Sequence, residues 1–92
     1  MNKIDQHAAI CSELNKLYAA KNADYGDSFA QTYAEEGMAM PRIRLSDKLN
    51  RFKQLTRTDS QKVKTESVRD TLLDLANYAI MTIMELDKEM DK

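Results

Sequence analysis

Very few residues in this chain can interrupt a helix. The 92 residues include two glycines and one proline, and all three lie between positions 26 and 41. Elsewhere, apolar residues recur every three or four positions, which is the period of one face of an α-helix. No segment shows the apolar/polar alternation of a half-buried strand. The sequence therefore predicts an all-α fold.

The apolar pattern predicts three long helices and one short helix. The first long helix spans about 3–22, and its apolar stripe consists of Ile4, Ala8, Cys11, Leu14 and Tyr18. A short helix through "SFAQTYAEE" ends at Gly37, and the next long helix spans 43–56. The last helix spans about 66–88, with Thr65 as its cap. The polar segment "TRTDSQKVK" is predicted to be the loop before it.

The length of the chain limits the size of its core. We expect one domain over residues 1–92, burying only about 60 to 65% of the surface that the unfolded chain would expose. Three long helices and one short helix rarely enclose a self-sufficient core. The prediction is therefore a small helical bundle that is completed by homo-oligomerisation.

Composition restricts the partners and the location of the protein. Fourteen basic and fifteen acidic residues give a net charge of −1, so we expect no direct DNA binding. No apolar run approaches the roughly 18 residues of a membrane span, and the N-terminus lacks a signal-peptide core. We expect a cytosolic protein without membrane contact. The single cysteine, Cys11, cannot form an internal disulfide and is predicted to be a small buried residue.

Three acids form a column on the last helix. Glu66, Asp70 and Asp74 are spaced by four residues, and Asn77 and Tyr78 continue the line one turn later. Such a column repels itself unless a cation neutralises it. Carboxylate oxygens are ligands that Mg²⁺ prefers, and basic side chains of a neighbouring helix are the other source of positive charge.

The helix over 43–56 offers those basic side chains. Arg44, Lys48 and Arg51 repeat at four and three residues, with Asp47 beside them. A polar seam between this helix and the last one is therefore expected. Spacing alone leaves three interpretations open, namely a structural salt-bridge seam, a solvated charged face and a ligand site.

The segment "KNADYGDSF", residues 21–29, combines a helix stop with unusual chemistry. Asn22 and Gly26 tolerate positive φ, as a helix end or a tight turn requires. The same nine residues also hold a lysine, two acids and two aromatic side chains. The segment is predicted both to end the first helix and to form one wall of a ligand site, and the alternative is a helix cap alone.

Three segments resemble a known family. "KNADYGDSF", "RLSDKLNRFKQL" and "VKTESVRDTLLDLANYAIM" resemble, in that order and spacing, the phage and prophage domain called nucleotide modification associated domain 1. The resemblance covers about residues 10–86. It places the family's motif residues at Lys21, Asn22, Asp24, Tyr25, Gly26, Arg44, Asp47, Lys48, Arg51, Glu66, Ser67, Asp70, Thr71, Asp74 and Tyr78.

This resemblance implies a phage-type protein that binds a nucleotide and is linked to nucleotide metabolism or base modification, in the host cytoplasm if phage-encoded. The implied ligand-binding residues are Lys21, Asn22, Asp24, Tyr25, Arg44, Lys48, Arg51 and Tyr78. Basic side chains would meet phosphate oxygens, and Tyr25 or Tyr78 could stack on a base.

A more distant similarity is to the all-α NTP pyrophosphatases of the MazG type, which use E-x-x-E and E-x-x-D pairs to hold Mg²⁺ against a triphosphate. Here Glu66 and Asp70 are separated by four residues, and only Asp47 lies on the helix over 43–56. The similarity implies Mg²⁺-dependent hydrolysis, with Glu66, Asp70 and Asp47 as catalytic residues. The implied metal ligands are Glu66, Asp70 and Asp74.

Two alternatives do not involve catalysis. One is a protein that sequesters a nucleotide signal of host antiphage defence and releases it unchanged. The other is a helical interaction module whose polar seam is filled by protein contacts. Turnover of a bound nucleotide separates the enzyme from both.

Overall fold

The computed structural model describes residues 2–57 and 65–91, without the side chains of Asp24 and Tyr25. These two ranges contain four helices and no strand, which confirms the all-α prediction of three long helices and one short helix. The helices are α1 (Lys3–Tyr25), α2 (Ser28–Glu36), α3 (Ala39–Arg57) and α4 (Thr65–Met90). None of them carries an apolar stretch that is long enough to cross a membrane.

Glycines end the first two helices, as the sequence predicts. Gly26 follows α1 with φ 67°, and its N–H donates to the carbonyl of Asn22 at 2.8 Å. Gly37 follows α2 with φ 66°, and its N–H donates to the carbonyl of Tyr33 at 2.8 Å. Glycine adopts this positive φ without the steric cost that a side chain brings.

Helix boundaries differ from the predicted ones by a few residues. α1 continues to Tyr25, and α3 begins at Ala39 rather than at 43. Pro41 is the third residue of α3, where a missing backbone N–H removes no intrahelical hydrogen bond. Of the predicted loop "TRTDSQKVK", Thr56 and Arg57 belong to α3, and residues 58–64 lie outside the described residues.

The core is thin. α3 and α4 make the most extensive interhelical contact, α2 packs on both, and α1 packs on α4. In the part of the chain that the structure describes, the buried apolar residues are Leu14, Met40, Pro41 and Leu73. Thr71 and Thr82 of α4 are also buried. Each threonine hydroxyl donates a hydrogen bond to a backbone carbonyl one turn earlier in the same helix. Few apolar side chains therefore hold the four helices together.

Polar contacts attach α1 to α4. The amide nitrogen of Asn77 donates to the carbonyl of Leu14 at 3.1 Å. The Arg69 guanidinium donates two hydrogen bonds to the Glu13 carboxylate, at 2.8 and 2.6 Å. These hydrogen bonds hold the pKa of Glu13 below its ordinary value. Because the ion pair is exposed, it fixes the position of α1 more than it stabilises the fold.

The first half of α1 corrects two sequence-based expectations. Residues 2–12 are all exposed, including Ile4 at 81%. The prediction of a buried Cys11 is wrong, because Cys11 is exposed, with its Sγ 3.7 Å from Nδ1 of His7. Of the predicted stripe, only Leu14 is buried. The apolar period of α1 therefore continues past the part of the helix that α4 covers.

Candidate functional site

All four helices contribute to one cleft of about 380 Å³. This volume lies within the range of small-molecule sites, about 300 to 1,000 Å³. We call it the central cleft. α1 lines it with Tyr18, Lys21 and Asn22, α2 with Ser28, Phe29 and Thr32, α3 with Met40 and Arg44, and α4 with Asp74, Asn77, Tyr78 and Met81. Gly26 closes it at the end of α1.

The carboxylate of Asp74 joins three helices. Its Oδ1 lies 3.1 Å from Nζ of Lys21 on α1, and its Oδ2 lies 3.2 Å from Nζ of Lys48 on α3. Partial burial pushes the pKa of Asp74 upward, but the hydrogen bonds from the two ammonium groups outweigh it and hold that pKa below its ordinary value. Asp74 is therefore ionised at neutral pH and orients both lysines.

Positive charge exceeds negative charge around this carboxylate. Arg44 lines the cleft one helical turn before Lys48. Among the described side chains that line the cleft or pair with Asp74, three are cationic and one is anionic. A guanidinium and two ammonium groups around a small cleft favour an anionic ligand, and phosphate oxygens match the hydrogen-bond geometry of arginine.

Aromatic and apolar side chains also line the cleft. Phe29 on α2 lies against Tyr78 on α4, with ring centroids 6.1 Å apart and the planes inclined by 32°. Tyr18 of α1 and the methionines Met40 and Met81 complete this side. The site thus combines cations with flat apolar groups, a combination that suits a ligand with a charged end and a planar end.

Polar side chains outside the predicted set of ligand-binding residues also reach the cleft. Thr32 lies one turn after Ser28 on α2 and donates to its carbonyl at 2.9 Å. Asn77 lines the cleft while it holds α1 through Leu14. Ser28 and Phe29 are the last two residues of the segment 21–29, and this membership is the signal that the sequence offers for them.

Six of the predicted site residues come together here. Lys21, Asn22, Arg44, Asp74 and Tyr78 line the central cleft, and Lys48 joins them through Asp74. The polar seam predicted between the third and last helices is present in the Lys48–Asp74 pair. Lys21 extends it to the first helix.

The other predicted residues lie elsewhere. Glu66 and Asp70 are exposed on α4 and do not line the cleft, and Arg51 is exposed on α3. Asp47 lines a separate shallow depression with Ala39, Arg42, Ile43 and Ser46. Asp24 and Tyr25 lie in the last turn of α1, and their side chains are outside the described residues.

The magnesium hypothesis requires the carboxylates of Glu66, Asp70 and Asp74 to meet at one point. In the ranges 2–57 and 65–91, no three carboxylate, imidazole or thiol groups converge on one point. Glu66 and Asp70 lie on the same helix as Asp74, whose two oxygens already accept from lysines. A metal site in the acidic column therefore stays a prediction.

Comparison with known proteins identifies one family. The sequence model described as nucleotide modification associated domain 1 matches residues 21–86. This range contains α2 and α3 entirely and the part of α4 that lines the cleft, and it begins at Lys21. No curated protein and no solved structure matches the chain. The similarity to MazG-type pyrophosphatases stays a prediction.

Proposed function

Since the chain belongs to the nucleotide modification associated domain 1 family, we propose that its central cleft binds a nucleotide or a nucleotide-derived small molecule. The family description points to nucleotide metabolism or modification. The cleft offers the chemistry that such a ligand needs, with cations for the phosphates and aromatic side chains for the base.

The observation that carries the proposal is the shared carboxylate of Asp74. Lys21 and Lys48 come from helices that are far apart in the sequence, and both ammonium groups lie within 3.2 Å of Asp74. A phosphate oxygen accepts hydrogen bonds as a carboxylate oxygen does, so both cations already point at a position where an anion is stable. Arg44 lines the same cleft and adds a planar guanidinium, which can donate two hydrogen bonds to a phosphate.

The base is expected on the aromatic side of the cleft. Tyr78 and Phe29 lie against each other there, and Tyr18 of α1 lines the same cleft. Stacking on an aromatic side chain contributes roughly 1 to 3 kcal/mol per base by alanine substitution. The asparagine and hydroxyl groups of the cleft would then select among bases and sugars by hydrogen bonding.

Thermal shift over a panel of nucleoside mono-, di- and triphosphates, with and without Mg²⁺, tests binding. A ligand at 100 times its dissociation constant stabilises the folded chain by about 2.7 kcal/mol. For a domain of this size, that corresponds to a rise in melting temperature of roughly 10 to 20 °C. No shift with any nucleotide at millimolar concentration would contradict the proposal.

Phosphorus NMR of the stabilising nucleotide then separates the chemical outcomes. Loss of the triphosphate signals with appearance of pyrophosphate in the presence of Mg²⁺ would identify a pyrophosphohydrolase. Unchanged nucleotide after prolonged incubation would identify a protein that sequesters its ligand. Binding is expected in both cases, because the cationic and aromatic groups do not depend on turnover.

A further inference from the structure

The chain exposes more surface than a folded monomer of its mass. Its accessible surface is 7134 Å², whereas a compact protein of 10.6 kDa exposes roughly 5,500 Å². The Cα radius of gyration is 15.1 Å, against about 12 Å for a compact chain of this length. The excess of about 1,600 Å² is comparable to the area that one subunit buries in a stable homodimer, on the order of 1,000 to 2,500 Å².

Part of this excess lies along an apolar line on α4, whose large side chains are exposed and whose two alanines are half-buried. The residues of this line are spaced alternately by four and three positions over nearly three heptads. We call the line the α4 seam, and it consists of Leu72, Ala76, Ala79, Ile83, Leu86 and Met90. Leu72 is 42% exposed and Ile83 is 55% exposed. Alternation of this kind is the pattern of helices that pair along their length.

The side of α4 opposite the seam contacts its own chain, and Ile80 and Met84, 42% and 41% exposed, lie between the two sides. Asp74 and Asn77 contact α1, and Tyr78 contacts α2. Leu72 and Asp74 are two residues apart, about 200° around the helix, so the seam faces away from the central cleft. Ala76 and Ala79 lie in the middle of the seam, where small side chains allow a second helix to approach closely.

We propose that two copies of the chain pair through their α4 seams, antiparallel, around a twofold axis near residue 81. A second copy is the partner that matches the observations, because the seam is self-complementary in length and spacing and the excess surface is that of a homodimer subunit.

Charge favours the antiparallel arrangement. In an antiparallel pair about residue 81, the acidic C-terminal turns of the two α4 helices, which carry Glu85, Asp87 and Glu89, lie at opposite ends of the interface. A parallel pair would instead place the two acidic C-terminal ends together.

A matched pair of variants tests the surface. Ile83→Glu places a charge in the seam, and Ile43→Glu makes the same change on α3 at a residue of similar exposure, 59%. Light scattering at micromolar concentration should give twice the 10.6 kDa chain mass for the wild type and for Ile43→Glu, and the single-chain mass for folded Ile83→Glu. We expect the dimer dissociation constant of Ile83→Glu to rise at least a hundredfold. A monomeric wild type, or a dimeric Ile83→Glu, would overturn the proposal.

Spin labels test the arrangement without a charge in the seam, should Ile83→Glu fail to fold. A label at Met90→Cys, in a Cys11→Ser background, lies at the 80% exposed end of α4. At a rise of 1.5 Å per residue, the antiparallel pair places the two labels about 30 Å apart, and a parallel pair about 10 Å. A distance near 30 Å in a protein of dimer mass supports the proposal, whereas a short distance, or none within range, overturns it.

Discussion

Asp74 is the residue that connects the sequence pattern to the geometry of the cleft. It belongs to a column of acids for which the sequence predicts either a metal ion or basic partners. In the folded chain its carboxylate pairs with two lysines from different helices. The spacing of Glu66, Asp70 and Asp74 is equal along the helix, so spacing could not distinguish them. Only the packing of α1 and α3 against one end of α4 makes Asp74 different.

Replacing Asp74 by Asn should lower stability in a pH-dependent way. Because the folded pKa of Asp74 is depressed, its contribution is fully present above the unfolded value of about 3.9 and is lost as pH falls through the folded pKa. We expect the free energy of unfolding of the variant to lie below the wild-type value at pH 7 and to approach it near pH 3. Urea unfolding at both pH values measures this difference.

Asp70→Asn is the control for that experiment, since it removes one negative charge from α4 a single turn earlier. A gap between Asp74→Asn and wild type that stays constant from pH 7 to pH 3, or that equals the Asp70→Asn gap throughout, would contradict the role assigned to the two lysines.

Asp70→Asn also tests the metal hypothesis. Asp70 is exposed and does not line the central cleft, so we expect its stability to change by less than about 1 kcal/mol and nucleotide affinity by less than about twofold. Calorimetry with and without Mg²⁺ measures both affinities. A sharp loss of affinity that occurs only with Mg²⁺ would instead support Glu66, Asp70 and Asp74 as metal ligands.

At the scale of the helices, the sequence predicted what local chemistry determines. Two glycines and the apolar period are local signals, and they located four helices and both glycine stops. Packing between helices is not local. The stripe of α1 runs through Ile4 and Cys11 without a break, yet α4 covers only the second half of that helix.

The same distinction applies to the candidate site. Lys21, Arg44 and Tyr78 were identifiable because each belongs to a chemically unusual segment. Tyr18 reaches the cleft because α1 crosses α4 near Asn77, and a single sequence does not show where two helices cross. Asp47 lies next to Lys48 in the sequence but on a different side of α3.

The two helix-ending glycines should be equally costly to replace. Gly26 has φ 67° and ψ −150°, and Gly37 has φ 66° and ψ −152°. An added Cβ would meet no atom within 4 Å at either position, so the cost is conformational. We expect Gly26→Ala and Gly37→Ala each to lower the free energy of unfolding by about 1 to 3 kcal/mol.

Chemical denaturation measures both glycine variants side by side. Only Gly26 lines the central cleft, so Gly37→Ala serves as the control when the nucleotide affinity of folded Gly26→Ala is measured. Stabilities equal to wild type for both variants would show that these backbone conformations are not required at the helix ends.

The whole molecule combines a thin core with a large exposed surface. Three apolar side chains and Pro41 are buried in the described chain, while eleven large apolar residues are exposed. If pairing covers some of them, folding and association are coupled, and the melting temperature rises with protein concentration. Scanning calorimetry over a hundredfold concentration range should show this rise. A melting temperature that is independent of concentration in a fully folded sample would indicate a self-sufficient monomer.

The proposed nucleotide site and the proposed dimer interface lie on opposite sides of α4. A substitution can therefore impair nucleotide binding without dimerisation, or dimerisation without nucleotide binding. Ile83→Glu, if folded, should bind nucleotide as the wild type does, because Ile83 does not line the cleft. Lys21→Met should retain the dimer mass, because Lys21 lies on the side of α4 away from the seam. Measuring the molecular mass and the nucleotide affinity of both variants therefore shows whether the two functions belong to separate surfaces.

The most direct test of the cleft is calorimetry of Lys21→Met against Lys16→Met, with the nucleotide that most stabilises the wild type. Both lysines are exposed on α1, but only Lys21 lines the cleft and contacts Asp74. Loss of one charge-assisted contact, about 1.5 to 3 kcal/mol, should weaken binding roughly ten- to a hundredfold for Lys21→Met and leave Lys16→Met unchanged. Unchanged affinity in folded Lys21→Met, or an equal loss in both variants, would contradict nucleotide binding in the central cleft.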